Sequence, residues 1–350
     1  MEKGSIDKSL YIYGFVPNDY PEKQLKQLES IGVSVIPFQK TVAIVSQKKM
    51  IDISELSKEA LAELMIHHQK TIESLMGMGF NTIIPMRLGT FANNSVELIR
   101  VIEKEYDLIM ETTEKVSNLI EVEIISTWSD FGQIMAEIAV NPEVVEMKEK
   151  SLNSEAGITQ ADQLNLGYLV KKILDGLQSE YETKITETFA PFYKSTKQHE
   201  LMNDQMVSNT AFLIHQSKLV LFEKALDELD ESLNDKLNFK FVSPLPCYSF
   251  YTMELKSLSF EEIESAKKEL GLEDSTSENS LQQAYLDKAK LLHPDANAGE
   301  DATVIFNQIK KAHTILQDYV DVLKPASKEE EFSLHTDTVI KNSLFLKIKE

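Results

Sequence analysis

The sequence predicts an α+β protein: an N-terminal ferredoxin-like unit, a second α+β unit with long helices, and an appended helical hairpin. Three observations predict it. The first stretch orders its apolar patterns as strand, helix, strand, strand, helix, strand, which is the split βαβ arrangement. The middle of the chain sets short alternating runs among long stretches of helical periodicity. Beyond Phe260, two apolar helical stripes are joined by about ten polar residues, the pattern of a helical hairpin.

The elements follow in order. Residues 10–16, LYIYGFV, read as a strand ended by Pro17. Residues 20–31 carry helical spacing at Leu25, Leu28 and Ile31 and stop at Gly32. The runs 33–38 and 41–45, parted by Gln39 and Lys40, read as a hairpin. Residues 59–76 predict an amphipathic helix with Leu61, Leu64, Met65, His68, Ile72, Leu75 and Met76 on one stripe. Residues 81–85 return as a strand. A helix is predicted over 95–119, and EVEIISTW at 121–128 alternates as a half-buried strand does. Residues 130–207 read as mostly helical, broken near Gly157 and at Pro191, before a strand at 209–214 and a helix at 219–233. Residues 239–255 close the body as an interrupted strand. Pro244 and Pro246 cannot donate to a ladder, which places them at a bulge or an edge, and Ser249-Phe250-Tyr251 resume the extended pattern. The expected units are therefore 1–92, 93–257, 258–323 and a charged linker with a terminal strand pattern at 324–350.

Composition narrows the function classes. A net charge of −20 argues against nucleic acid and anionic membrane surfaces, which call for basic patches. One cysteine, Cys247, leaves no disulfide framework and fits a reducing cytosol. No apolar run approaches the ~20 residues of a membrane span, so a cytoplasmic protein without membrane insertion is expected. There is no Gly-rich phosphate loop, no His-Glu-x-x-His and no cysteine pair, so neither a cofactor nor catalysis is expected. Adjacent on a helix, His67 and His68 point about 100° apart and cannot both ligate one metal. Cys247 reads as an inert strand residue. Arg87, between a strand and a Gly-Thr turn, reads as a tie to loop carbonyls or a buried acid before an anion site. Met65, Met76, Met78 and Met86 read as core, with exposed methionines suited to adaptable binding surfaces.

Four blocks then occur in one order: Tyr11-Ile12-Tyr13-Gly14, residues 85–91 (PMRLGTF), residues 209–213 (NTAFL) and residues 242–250 (VSPLPCYSF). Together they resemble the gas vesicle protein F/L family. Leu245 and Cys247 depart from that family's usual pattern before Tyr-Ser-Phe. The resemblance implies an accessory protein of gas vesicle assembly, located in the cytoplasm and at the gas vesicle. It implies binding of the small, very hydrophobic shell protein and of other gas vesicle accessory proteins, without catalysis. It marks Arg87, Gly89, Thr90, Pro244, Pro246, Tyr248 and Phe250 as the structural family motif.

The C-terminal stripes are Leu281, Ala284, Tyr285, Ala289 and Leu292, then Ile305, Phe306, Ile309, Ala312, Leu316 and Tyr319, with His293-Pro294-Asp295 between them. Residues 260–322 are similar to a J domain of the DnaJ co-chaperones, with 263–270 as its first helix. The resemblance implies partner binding through His293, Pro294 and Asp295 and a basic face on the preceding helix. That face keeps only Lys288 and Lys290, because Leu286, Asp287 and Leu291 stand where basic residues are usual. Six lysines against thirteen carboxylates leave these residues at a net −7. Two functions follow: an assembly factor that keeps the shell protein soluble, or a co-chaperone that recruits a DnaK-type ATPase to vesicle assembly.

Overall fold

A computed structural model describes residues 9–153, 159–292, 300–323, 327–336, 338–339 and 343–348. In the first unit, β1 (Ser9–Pro17), α1 (Glu22–Gln27), β2 (Ser34–Phe38), β3 (Thr41–Lys48), α2 (Lys58–Gly77) and β4 (Ile84–Pro85) follow one another. The sheet order is β2-β3-β1-β4 with every neighbour antiparallel, which is the ferredoxin-like order. A short β5 (Phe91–Ala92) pairs with the start of β1. Along β1, Leu10, Ile12 and Phe15 face one core while Tyr11, Tyr13 and Val16 face another. A bulge between Ile12 and Gly14 shifts the alternation by one residue. Glycine is needed there, because a Cβ at Gly14 would sit 2.5 Å from the Ile84 carbonyl oxygen.

The tyrosine face is covered by α1 and α2, and the other face by α3 (Ser95–Lys104) and α4 (Tyr106–Val116). The single helix predicted over 95–119 is therefore two. It breaks at buried Glu105, which leaves helical backbone geometry at φ −103°, ψ 22°.

The second unit runs β6 (Leu119–Trp128), α5 (Phe131–Ala139), α6 (Pro142–Leu152), α7 (Gln160–Phe189), β7 (Tyr193–Gln198), β8 (Met206–His215), α8 (Leu219–Ser232) and β9 (Leu237–Leu245). Its antiparallel order β7-β8-β6-β9 repeats that of the first sheet, strand for strand, with the first crossover enlarged to three helices. Side-chain caps start these helices at Asp130, Asn141 and Thr159, the last in a capping box with Asp162. Strand β7 falls inside the stretch predicted as helical. Its sequence, YKSTKQ, is polar because it forms the exposed edge. Strand β9 is the opposite edge, and Pro244 lies exposed on it.

The extended pattern predicted at Ser249-Phe250-Tyr251 is instead a single helical turn, α9 (Tyr248–Tyr251). The Tyr251 N–H donates to the Cys247 carbonyl (2.9 Å), and the Glu121 carboxylate accepts the Ser249 N–H (2.7 Å). Cys247 therefore precedes a turn and does not lie in a strand.

The remaining elements are β10 (Met253–Ser257), α10 (Phe260–Leu270), β11 (Ser275–Ser277), α11 (Glu278–Leu292), α12 (Glu300–Leu323), β12 (Glu331–Ser333) and β13 (Leu344–Ile348). Ile263, Leu270, Leu281, Ile309, Leu316 and Tyr319 build the core that joins the three helices. Strands β10 and β13 pair antiparallel, as do β11 and β12. Strand β10 also joins the first unit. Met86 and Met253 form a parallel bridge, and the Arg87 N–H donates to the Met253 carbonyl at 2.7 Å. On β13, Leu346 enters the core of the first sheet while its neighbour Phe345 enters the core of the helical unit. His293, Pro294 and Asp295 lie outside the described residues. Among the described residues no helix is long and apolar enough to cross a membrane.

Candidate functional site

Three of the four sequence blocks meet beside α2. Strand β1 brings Tyr11, the loop after β4 brings Met86, Arg87 and Leu88, and α9 brings Tyr248 with the adjoining Thr252. Of these, Met86, Arg87, Leu88, Tyr248 and Thr252 border, with Ile53, Met65, Ile66, His68, Gln69, Lys70 and Glu73, a cavity of about 840 Å³; Tyr11 reaches it only through its bond to His68. The remaining block, at 209–213, lies in β8 at the centre of the second sheet.

Gly89 shapes this wall. Its φ is +78°, and a Cβ there would fall 1.7 Å from Ile53 Cδ1, so only glycine closes the turn. Thr90 is buried and donates its hydroxyl to the Arg87 carbonyl (2.6 Å). Arg87 Nη1 donates to Glu254 Oε2 at 2.6 Å; the arginine side chain is 58% exposed and the glutamate 10%. Glu254 Oε1 also meets Lys256 (3.3 Å), Lys256 meets Asp318 on α12 (2.5 Å), and Asp318 meets Lys347 (2.7 Å). The guanidinium thus begins a chain of charges reaching the helical unit.

His68 lies on the buried stripe of α2, as its spacing predicts, and its Nδ1 is 2.7 Å from the Tyr11 hydroxyl. Burial, with the Lys48 and His67 charges beside it, pushes the imidazole down to about 4, so it is neutral near pH 7. Burial raises the Tyr11 phenol, which keeps its proton. His68 Nε2 and the Tyr248 hydroxyl are buried without a hydrogen-bond partner among the described residues. Met65 and Ile66, by contrast, are 54% and 55% exposed at the cavity mouth. Met65 was expected on the buried stripe; its exposure gives α2 an apolar face at the opening.

Behind α9, Glu121 Oε1 accepts from Ser249 Oγ (2.8 Å), and His199 Nε2 lies 3.1 Å from the same hydroxyl. These residue types occur in nucleophilic sites, where the serine donates to a histidine that the acid orients. Here the serine donates to the acid directly, so the group ties α9 to β6. Burial pushes Glu121 up to about 7, and burial beside Glu121 pushes the Cys247 thiol up to about 12, far from a reactive thiolate.

The other motif residues serve the same corner. Pro246 is buried and its carbonyl accepts the Tyr248 N–H (2.6 Å), while Phe250 packs, half-buried, on the core of the first sheet. In the helical unit, the Lys288 ammonium donates to the Glu269 carbonyl at the end of α10, and Lys290 lies in the last turn of α11. Among the described residues no cluster of His, Cys, Asp and Glu suits a metal ion. Sequence reasoning missed the Tyr11–His68 bond and the Glu121–Ser249 tie, which join residues 57 and 128 positions apart and leave no local pattern.

Comparison with known proteins agrees with this layout. The model of the family described as gas vesicle synthesis protein GvpL/GvpF matches residues 9–252, and that of the DnaJ domain matches residues 268–321. Gas vesicle protein F of Nostoc sp. is 20% identical over 249 residues, spanning 70% of this chain and 98% of that protein. Gas vesicle protein F of Microcystis aeruginosa is 22% identical over 253 residues, spanning 69% and 97%. The crystal structure of GvpF from Anabaena sp. superposes with a TM-score of 0.59 at 20% identity, over 69% of this chain and 97% of that one. For GvpF from Microcystis aeruginosa the TM-score is 0.58 at 19% identity, over 70% and 99%. The chain belongs to the gas vesicle GvpL/GvpF family and carries a DnaJ domain after the region that the family shares.

Proposed function

We propose that this protein is a non-catalytic assembly factor of the cytoplasm that binds the hydrophobic gas vesicle shell protein and keeps it soluble until it joins the growing vesicle. One observation carries the reading: Arg87 and Tyr248 of the family motif line one cavity with Met65 and Ile66 of α2, which are more than half exposed. Adjacent exposed apolar side chains beside a cavity suit an apolar partner, and methionine adapts to varied apolar surfaces. This favours the α2 face over the edge strand β2, where Pro37 lacks the N–H that an added strand requires. The acidic remainder of the chain suits a carrier of a sticky cargo.

The test is co-expression with the shell protein followed by pull-down. Met65→Asp combined with Ile66→Asp is expected to abolish capture at an unchanged melting temperature. Undiminished capture by that variant would move the site elsewhere. The DnaJ match supports a second reading, recruitment of a DnaK-type ATPase, through which other accessory proteins would be served.

A further inference from the structure

Strand β6 alternates between two faces. Ile120, Val122 and Ile124 enter the core of the second unit, which puts Glu121 and Glu123 on the opposite face. An acid on that face is expected to meet water. Turn α9 instead lies against Glu121, which is 3% exposed. Four acids are buried among the described residues: Glu105, Glu121, Glu254 and Asp318. Glu105, Glu254 and Asp318 each have a lysine or arginine within ion-pair distance, but none of the described ion pairs includes Glu121.

What holds Glu121 is uncharged. Its Oε2 accepts the Ser249 N–H and its Oε1 the Ser249 hydroxyl. Around it, Glu123 on its own strand and Lys197 on β7 act with opposite signs, and His199 stands behind the serine hydroxyl. Cys247 and Tyr248 flank it at the start of α9, and its register partners on β8 and β9, Leu213 and Leu245, are apolar. A carboxyl in such a place costs less to bury with its proton than without it, which is why it titrates near 7. Turn α9 also joins the two sheets. Ser249 is tied to β6, while Phe250 and Tyr251 pack on the core of the first sheet, and Tyr248 and Thr252 line the cavity beside α2.

We propose that Glu121 is a pH-operated latch on α9. With its proton the carboxyl holds the turn across the seam between the two sheets; on losing it to solvent, it releases the turn and slackens the cavity wall formed by Tyr248 and Thr252. The direction follows from solvation. Lifting α9 lets water reach the carboxylate, so ionisation favours the open form and protonation the closed one. The acid titrates near 7 when covered and near 4.5 in water, so the open population grows with pH between these values and levels off above 7. From pH 6 to pH 8 the rise is about tenfold. The latch acts whatever the cavity binds.

Cys247 supplies the probe. It is the only cysteine in the chain, is 1% exposed and immediately precedes the turn, so a thiol reagent reaches it when α9 lifts. Its modification rate in the native full chain, divided by the rate in the same chain unfolded in guanidinium at the same pH, gives the open fraction free of the thiol's own titration. That ratio should rise about tenfold from pH 6 to pH 8 in the wild type. It should stay flat, within about twofold, in Glu121→Gln, which keeps a hydrogen-bonding group of the same shape without the charge. Ser249→Ala should raise the ratio roughly fivefold at every pH, the loss of one hydrogen bond, and keep the slope. Amide exchange at Ile124 and Phe212, in the middle of the second sheet, is followed alongside. A flat wild-type ratio overturns the latch, and so does an equal rise in Glu121→Gln or an unchanged ratio in Ser249→Ala. The wild-type slope is a test by itself if Glu121→Gln does not fold. A ratio that climbs in step with exchange at Ile124 and Phe212 also overturns the proposal, because the acid would then set global stability and not the position of α9.

Discussion

The guanidinium of Arg87 is more than half exposed, and its partner Glu254 also holds Lys256. Removing the arginine leaves that carboxylate with one cation, so Arg87→Ala should cost about 1 kcal/mol rather than the ~3 kcal/mol of a fully buried pair. Denaturant unfolding gives the figure, and a loss of 3 kcal/mol or more would contradict it. Gly89→Ala is the harsher change: it strains a positive φ and drives a methyl into Ile53. A loss of about 2 kcal/mol or more is expected from the same measurement. One buried base and one buried acid set opposing pH responses. His68 titrates near 4 in the fold against 6.5 free, so acidification from 6.5 to 4 protonates the unfolded chain first and lowers stability. Glu121 titrates near 7 against 4.5 free, so its contribution is whole below 4.5 and fades as pH rises through 7. Between pH 4.5 and 6.5 the two slopes oppose. Glu121→Gln should leave the His68 slope uncovered, so that stability climbs with pH across this window and no longer declines towards pH 8. Unfolding midpoints at pH 5, 6.5 and 8 decide it, and a profile matching the wild type would refute the assignment.

At the scale of elements, β13 serves two cores from adjacent residues. Leu346→Ala should cost about 3 kcal/mol and raise amide exchange in β10 and α3, while Phe345→Ala should cost as much and raise it in α10 and α12. Exchange rising uniformly in both variants would show that the cores open together. Elements with a strong local pattern could be read from the sequence: the first unit's strand–helix order, the apolar run of β8, and the apolar stripes of α8 and the C-terminal helices. Strand β7 could not, because an exposed polar edge has no apolar alternation. Helical turn α9 could not either, because Glu121, far away in sequence, accepts its N-terminal amide. The second sheet repeats the first in order, yet the crossover holding α5, α6 and α7 removes any fixed period. Of the candidate site, the Arg87–Thr90 turn and Tyr248 were visible as blocks. The cavity they form with Met65, Ile66 and His68 depends on long-range packing.

For the whole molecule, charge governs which partners approach. Docking onto an acidic surface of an ATPase chaperone draws on basic side chains, and complementarity of this kind sets encounter rate and specificity. Lys288 is already bonded to the Glu269 carbonyl, and residues 260–322 carry a net −7. Steady-state ATP turnover by the host's DnaK-type chaperone should therefore change less than about twofold on adding this protein. A several-fold stimulation that disappears in His293→Gln would make it a working co-chaperone. How that module should be removed for such an experiment follows from β10 and β13. Ser257 pairs with Leu344, and the Leu258 N–H reaches the Ser343 carbonyl at 2.8 Å, so the chain leaves the body and re-enters it at one place. Residues 258–343 are thus a cassette spliced into a hairpin, held at both ends, and not a tail hung from one. Cutting the chain after Ser257 would also discard β13 and open the core that Leu346 fills. Joining Ser257 to Leu344 through a short turn excises the cassette and leaves that hairpin, and the body's core, closed.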